Sequence, residues 1–281
     1  MSSDIKADKK RIAEIADAVR EKRPLVHCIT NYVTVNDCAN ALLAIGASPV
    51  MADDEREIAD IVAIASALVI NIGTLNDRTI RSMVMAGKAA AKRGIPVILD
   101  PVGAGASKLR TETALSLITE VPFAVIRGNA SEIRTLVSGT GTTRGVDASE
   151  SDTAADRFEA LRDEASNLAQ KTGAVIAITG ATDIISDGTK AYAIKNGHPL
   201  MGRITGSGCM LSAITGAFAA ARADISMDAV AAAIATMGLA GEKAARAEAR
   251  RGTGSFRVSL IDALSRLDAR EVASGMRLDV L

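Results

Sequence analysis

The chain contains very few aromatic residues: they make up 2% of its 281 residues, and tryptophan is absent. Aromatic platforms that stack nucleic-acid bases are therefore not expected. Positive charge is not in excess either, since 33 Lys and Arg balance 33 Asp and Glu. The basic surface typical of nucleic-acid-binding proteins is thus missing, and we expect no nucleic-acid partner.

Long apolar runs are also missing. The most apolar stretch, residues 58–73, is interrupted by Asp60, so we expect no membrane span. The first ten residues are highly charged and lack the apolar segment of a signal peptide. The three cysteines, Cys28, Cys38 and Cys209, show neither a CxxC motif nor metal-ligand spacing, which is typical of free thiols in a reducing compartment. Together these absences predict a cytoplasmic protein.

Apolar residues are plentiful, at 48% of the chain, so a large core can be buried. No internal repeat is evident. The Gly- and Thr-rich segment at residues 138–146 is too short to act as a linker between domains. We therefore expect a single domain over residues 1–281.

Short β-branched runs alternate with longer helical stretches along most of the chain. This pattern predicts an α/β three-layer sandwich with a mostly parallel central sheet flanked by helices. A hairpin around Asp187-Gly188 is expected to add antiparallel strands late, and everything after Cys209 is predicted to be helical. Strands are predicted at residues 25–29, 49–51, 68–72, 96–100, 123–126, 175–179, 183–186 and 190–194, and helices at residues 32–45, 77–93 and 131–137.

A glycine-rich turn, TGSGC at residues 205–209, runs directly into an apolar helix. Gly206 and Gly208 allow successive backbone N–H groups to turn toward one point, and the helix adds the positive end of its dipole. Such a turn can hold an anion or serve only as a packing device. Cys209 stands at the helix start, where a lowered pKa would make its thiol a usable base or nucleophile. An anion cradle beside a titratable group indicates phosphoryl transfer.

Polar residues follow several predicted strands, and in an open parallel sheet the strand ends line one edge, where ligands bind. Asp100 either orients hydrated Mg²⁺ beside phosphates or caps a loop, and the agreement among strand ends favours the first. Thr179 with Gly180 either holds a phosphate or ribose or caps its strand. Asn31, at the end of the first strand, can orient a hydroxyl-bearing substrate.

Glu132 lies in the first turn of a predicted helix, three residues after Asn129, and either Asn129 or Ser131 can be the N-cap. This spacing is typical of a capping box. In the alternative, Glu132 binds a water molecule held by a metal ion, and Arg127 binds a phosphate. The residues alone slightly favour capping. Met51 ends a predicted strand and belongs either to the core or to an apolar pocket, and its type alone favours the core.

Taken in order, these segments resemble the hydroxyethylthiazole kinases of thiamine biosynthesis, which have the ribokinase-like fold. The resemblance spans most of residues 24–256. The matching segments are PLVHCITNY (24–32), GASPVMA (46–52), VINIGTL (69–75), VILDPVGAG (97–105), IRGNASE (126–132), GVD (145–147), AITG (177–180), TGSGC (205–209) and GSF (254–256).

This resemblance implies ATP-dependent phosphorylation of the hydroxyl group of 4-methyl-5-(2-hydroxyethyl)thiazole, with Mg²⁺, in a homotrimer whose active sites lie at subunit interfaces. It also moves Met51 and Glu132 from structural to functional roles. The roles that it implies are ATP binding by Arg127 and Thr179, placement of phosphates or metal by Asn31, thiazole binding by Met51 and Gly206, arrangement of Mg²⁺ by Asp100 and Glu132, and a position for Cys209 near the substrate hydroxyl.

Three other functions remain open. One is a kinase of the same fold acting on a hydroxymethylpyrimidine, pyridoxal or a sugar, although Cys209 replaces the aspartate that most ribokinase-like enzymes carry at this point. Another is a nucleotide-dependent hydrate dehydratase. The third is a nucleotide-binding or assembly protein without activity. The presence of Asp100, Glu132, Arg127 and Cys209 argues against it.

Overall fold

The structure is a computed structural model that describes residues 3–139, 154–222, 226–248 and 251–281. The GVD segment at residues 145–147 lies outside the described residues, as does most of the predicted loop at 138–146.

A nine-stranded sheet forms the centre of the described part of the chain, in the order β2-β1-β3-β4-β5-β6-β7-β8-β9. Strands β1 to β6 pair in parallel, and β7 to β9 continue the sheet in antiparallel fashion. The strands are β1 (Leu25–Ile29), β2 (Ser48–Val50), β3 (Ala67–Asn71), β4 (Val97–Asp100), β5 (Val125–Asn129), β6 (Val175–Thr179), β7 (Asp183–Ser186), β8 (Ala191–Ile194) and β9 (Leu278–Val280).

Helices cover both faces of this sheet. One face carries α1, α2 and α8 to α11, and the other carries α3 to α7. The helices are α1 (Ser3–Lys22), α2 (Val35–Ala44), α3 (Ile58–Ile64), α4 (Asp77–Arg93), α5 (Lys108–Glu120), α6 (Ala130–Ser138), α7 (Ala154–Thr172), α8 (Ser207–Ala220), α9 (Met227–Ala247), α10 (Thr253–Arg266) and α11 (Ala269–Gly275), with a 3₁₀ helix at Pro199–Arg203.

The two cores are separated by the alternation of side chains along each strand. In β3, Val69 packs into the first core and Leu68 and Ile70 into the second, so the strand is buried on both faces. Gly216 of α8 lies so near β3 that an added Cβ would stand 2.7 Å from Val69 Cγ2. This close approach fixes α8 directly under the parallel strands. The three-layer α/β architecture is confirmed.

Most predicted elements are found, with shifted ends. Helix α4 has the predicted bounds because Asn76 caps its start and Gly94 ends it at a φ of 70°. Helix α2 begins at Val35 rather than at residue 32, since a turn closed by the Thr34 N–H on Asn31 precedes it. Among the described residues, no helix combines the length and apolar content that a bilayer crossing requires.

The prediction of an all-helical C-terminal part is wrong in one respect. The end of the chain forms β9, which pairs antiparallel with β8 and extends the sheet. Only Leu278 of this three-residue strand is buried, so it leaves no alternating apolar pattern in the sequence. The remainder after Cys209 is mostly helical, as predicted.

Candidate functional site

Polar residues that follow successive parallel strands meet along one edge of the sheet. Asn71 of β3 lies beside Asp100 of β4, and Asn129 of β5 lies beside Thr179 of β6. The N-terminus of α8 reaches the same edge, because a Cβ on Gly208 would stand 3.0 Å from Arg127 Nη1. The edge therefore joins strand-end side chains to a helix N-terminus.

The backbone amides in the first turn of α8 have no hydrogen-bond acceptor among the described residues. Gly206 precedes it at a φ of 88°, a left-handed conformation that favours glycine, and an added Cβ would lie 2.6 Å from Thr34 Cγ2. The first intrahelical bond runs from the Met210 N–H to the Gly206 carbonyl over 2.8 Å. Within the part of the chain that the structure describes, no side-chain hydrogen bond caps the start of this helix. The N–H groups of residues 207–209 are thus arranged as in turns that bind anions.

Arg127 places a positive charge against this turn. Its Nη2 donates to Thr179 Oγ1 over 2.8 Å, and its Nη1 lies 3.6 Å from Asp100 Oδ1. The buried Nε has no hydrogen-bond partner in the described part of the chain. An unpaired donor of this kind, next to free helix amides, matches the oxygens of a phosphate.

Asp100 is fully buried behind Arg127. Its Oδ2 accepts from Asn71 Nδ2 and from Ser212 Oγ, both over 2.8 Å, whereas Oδ1 has no hydrogen-bond partner among the described residues. Burial raises the pKa of this carboxyl, the nearby Arg127 opposes that rise, and the charge of Glu132 adds to it. Among the described residues this carboxylate accepts hydrogen bonds from side chains alone, so the structure does not show it as a helix or loop cap.

Glu132 forms the predicted capping box with Asn129. Its Oε2 accepts from the Asn129 N–H and its Oε1 from the Gly103 N–H, each over 2.8 Å. One carboxylate therefore fixes both the start of α6 and the loop after β4. The described residues contain no group of three or more His, Cys, Asp and Glu side chains able to hold a metal.

The thiol of Cys209 lies between two asparagines. Asn31 Nδ2 donates to the sulfur over 3.0 Å and Asn71 Nδ2 over 3.3 Å. Burial raises the pKa of this thiol, and the charge of Asp100 raises it further. The expectation of a lowered pKa for Cys209 is wrong, because desolvation and a neighbouring carboxylate raise it.

The predicted site residues lie along the sheet edge in the same order as the strands that carry them. Met51, just after β2, lies partly buried against the first core at the edge of the sheet. Arg127 and Thr179 lie on β5 and β6, and three strands separate β2 from β5. The Cys209 thiol, held by side chains from β3 and the end of β1, lies between these two ends. The arrangement is a line along the sheet edge rather than one cluster.

A cleft of about 630 Å³ opens beside Arg127 and extends toward β8 and α9. Most residues that line this cleft could not be identified as site residues from the sequence, because Asp183 and the segment after β8 match no anion-binding or metal-binding pattern. Its lining residues are Arg127, Thr179, Gly180, Ala181, Asp183, Asn196, Gly197, His198, Pro199, Met201, Gly202, Ser207, Gly208, Leu211, Ile234, Met237 and Gly238.

The segment after β8 is fixed in place by α9 and the chain end. Asn196 Nδ2 donates to Glu242 Oε1 over 3.1 Å and to the Gly275 carbonyl, also over 3.1 Å. Its Oδ1 accepts from the Arg277 N–H over 2.8 Å. One wall of the cleft is therefore tied to the last helix and strand.

Comparison with known proteins places the chain in a family. The model of the hydroxyethylthiazole kinase family matches residues 16–270. The chain belongs to the hydroxyethylthiazole kinase family. The resemblance noted in the sequence is confirmed, and the protein is a kinase.

Relatives of this kinase family agree over almost the full chain. A hydroxyethylthiazole kinase from Clostridium beijerinckii is 55% identical over 258 residues, 92% of each chain. The solved structure of a hydroxyethylthiazole kinase protein from Pyrococcus horikoshii OT3 is 41% identical, with a TM-score of 0.87 over 97% of this chain and 99% of that one.

The fold of this kinase extends to more distant proteins. A ribokinase-like superfamily protein from Enterococcus faecalis V583 is 16% identical, with a TM-score of 0.59 over 90% of this chain and 95% of that one. At this identity the likeness concerns the fold alone. The predicted ribokinase-like architecture is confirmed.

Proposed function

We propose that the chain transfers the γ-phosphoryl group of ATP to the hydroxyl of 4-methyl-5-(2-hydroxyethyl)thiazole, a salvage step of thiamine biosynthesis. One observation carries this proposal within the family: the free amides at the start of α8 face the Arg127 guanidinium, which has an unpaired Nε. Free helix amides and a guanidinium together form a site for a migrating phosphoryl group.

The strand order supports a placement of the two substrates at opposite ends of the edge. The nucleotide takes the cleft from Arg127 toward β8, and the thiazole alcohol takes the side of Asn31 and Met51. The alcohol oxygen attacks the γ-phosphorus, the bond between that phosphorus and the β-phosphate oxygen breaks, ADP leaves, and the hydroxyl proton is released to water. Charge on the transferred phosphoryl oxygens is stabilised by the amides of residues 207–209 and by Arg127.

A magnesium ion fits the carboxylates on this edge. Asp100 Oδ1 is a buried oxygen that has no hydrogen-bond partner among the residues described, and the charge of Glu132 is near enough to raise the pKa of Asp100. Mg²⁺ keeps most of its water and takes few carboxylates beside phosphates. Asp100 and Glu132 would therefore occupy one or two of its coordination positions. When bound, it neutralises phosphate charge.

We further propose one domain over residues 1–281, because both cores pack on one sheet, and a homotrimer with sites at its interfaces. Met51 follows the edge strand β2. Exposed Tyr32 and Val33, at 55% and 68%, stand near the acceptor end and can be covered by a neighbouring subunit. The three cysteines are unpaired, as fits the cytoplasm.

The direct test is a coupled ADP-release assay with Mg-ATP. We expect turnover with the thiazole alcohol at a kcat/KM at least about tenfold above that with hydroxymethylpyrimidine, pyridoxal or a sugar alcohol, since contacts made to one ring in the transition state are lost with a ring of another shape. Higher turnover with one of those alcohols would contradict the proposal. ATP consumption without a phosphorylated alcohol would favour the dehydratase, and tight ATP binding without turnover would favour a protein lacking activity.

Replacing Cys209 by alanine is expected to slow turnover by about 10- to 100-fold and leave measurable activity. The thiol has a raised pKa and is therefore protonated near neutral pH, so its contribution as a base is modest. Positioning and charge stabilisation dominate phosphoryl transfer. The measurement is kcat at saturating ATP and thiazole alcohol.

Cys209→Ser is the matched variant, since it keeps a group that can accept hydrogen bonds from Asn31 and Asn71. It should retain more activity than Cys209→Ala. A Cys209→Ala protein that is folded but has no activity above background would show that the sulfur is indispensable.

A further inference from the structure

Asp183 is a buried carboxylate on the wall of the cleft, and the proposed transfer chemistry does not use it. It is the first residue of β7 and is 8% exposed. Its Oδ1 accepts from the Gly180 N–H over 3.0 Å, which holds the turn between β6 and β7. Its second oxygen, Oδ2, has no hydrogen-bond partner in the part of the chain that the structure describes, and it is not sealed off.

The position of Asp183 along the sheet edge is defined by strand order. Arg127 comes from β5, Thr179 ends β6 and Asp183 begins β7. Strands lie about 4.8 Å apart, so β7 is about 10 Å from β5. The α- and β-phosphoryl groups of a nucleoside triphosphate can span such a distance when the γ-phosphoryl group lies at α8.

The charges in the cleft indicate how a nucleotide would be oriented within it. Arg127 and the amides of residues 207–208 attract phosphate at one end, whereas the Asp183 carboxylate repels phosphate from β7. Beyond it, Ile234 and Met237 of α9 offer an apolar wall suited to a base. The group that meets Asp183 must therefore be uncharged and able to donate a hydrogen bond, and it must lie between the phosphates and the base.

We propose that Asp183 Oδ2 accepts a hydrogen bond from a ribose hydroxyl of the nucleotide, and that Asp183 makes this kinase prefer ribonucleotides to deoxyribonucleotides. The proposal rests on the proposed function insofar as the nucleotide occupies this cleft. Asp183 is a specificity-determining residue in this account.

Ionisation of Asp183 is compatible with this role. Burial raises the pKa of Asp183 to about 6, while the Gly180 N–H and the charge of Arg127 oppose the rise. At about pH 8 the group is a carboxylate and can accept a hydrogen bond. Measurements at this pH therefore probe the ionised acceptor.

The experiment measures nucleotide dissociation constants by calorimetry at about pH 8, without the thiazole alcohol. ATP, 2′-deoxy-ATP, 3′-deoxy-ATP and inosine triphosphate are compared for the wild type, Asp183→Ala and Asp183→Asn. Asp183→Asn keeps an oxygen for the Gly180 N–H, so it preserves the turn while removing the charge. We expect the wild type to bind ATP about 10- to 100-fold more tightly than at least one deoxy analogue.

In Asp183→Ala this preference should fall to within about twofold, through weaker ATP binding and unchanged binding of the deoxy analogue. Asp183→Asn should give an intermediate preference. An equal loss for all nucleotides in both variants would show a purely structural role and overturn the proposal. So would a wild type that does not distinguish ATP from either deoxy analogue, that discriminates only against inosine triphosphate, or that binds no ATP. Because binding is measured without the alcohol, a wrong phosphoryl acceptor leaves the result interpretable.

Discussion

Replacing Arg127 by alanine is expected to lower kcat/KM for ATP by about 10³-fold or more. The guanidinium stands against the first turn of α8, and its buried Nε has no partner among the described residues. The positive charge of the guanidinium, close to Gly208, can therefore stabilise the negative charge that develops on the transferred phosphoryl oxygens. Removing it deletes a side-chain cation placed beside those amides, so the loss should exceed that of Cys209→Ala. Steady-state kinetics with varied ATP measure it.

The protein should remain folded after this change. The pKa of Asp100 is already raised by burial, and without Arg127 the carboxyl can take up a proton instead of remaining an unpaired charge. Arg134→Ala is the matched control, since it removes a guanidinium that binds Glu164 over 2.8 Å between α6 and α7. It should change kcat/KM by less than about threefold. A folded Arg127→Ala protein that loses less activity than Cys209→Ala would reverse the ranking proposed here.

Replacing Gly206 by alanine is expected to lower kcat by about 100-fold or more. A Cβ there would meet Thr34 Cγ2 at 2.6 Å, and the φ of 88° is left-handed. The turn must then shift, which moves the amides of residues 207–209 away from the phosphoryl group. The free energy of unfolding should fall by about 1–3 kcal/mol, from backbone strain and the displaced contact. Urea unfolding and kcat are measured together.

Gly94→Ala is the control that distinguishes the effect of backbone strain from the effect of displacing the amides of residues 207–209. Gly94 also has a left-handed φ, of 70°, at the end of α4, but an added Cβ would meet nothing within 4 Å. It should lose about 1 kcal/mol of unfolding free energy and keep its kcat. If Gly206→Ala kept the same kcat as Gly94→Ala, the turn at α8 would not be the anion site.

The sequence was sufficient for features that depend on neighbouring residues. The ends of α4 follow from Asn76 and Gly94, which act within one turn of the helix. The capping box of Glu132 follows from its spacing of three from Asn129. The glycine turn before α8 was likewise visible, since Gly206 and Gly208 precede an apolar helix.

Features that depend on distant parts of the chain could not be predicted. Asn31 and Cys209 are 178 residues apart, and the pKa of the thiol depends on its burial and on Asp100. The position of Cys209 at a helix N-terminus, taken alone, predicts the opposite change, a lowered pKa. Asp183 was predicted only as a strand residue of a hairpin, because its place on the cleft wall results from the order of β5, β6 and β7.

The central claim is that the amides of residues 207–209 and the Arg127 guanidinium hold the γ-phosphoryl group. A crystal structure with Mg²⁺, the thiazole alcohol and a non-hydrolysable ATP analogue tests it most directly. We expect oxygens of the terminal phosphate about 3 Å from those amide nitrogens and from Arg127, with the alcohol oxygen facing the phosphorus from the side of Asn31. A terminal phosphate bound near Asp183 or outside the cleft would contradict the account.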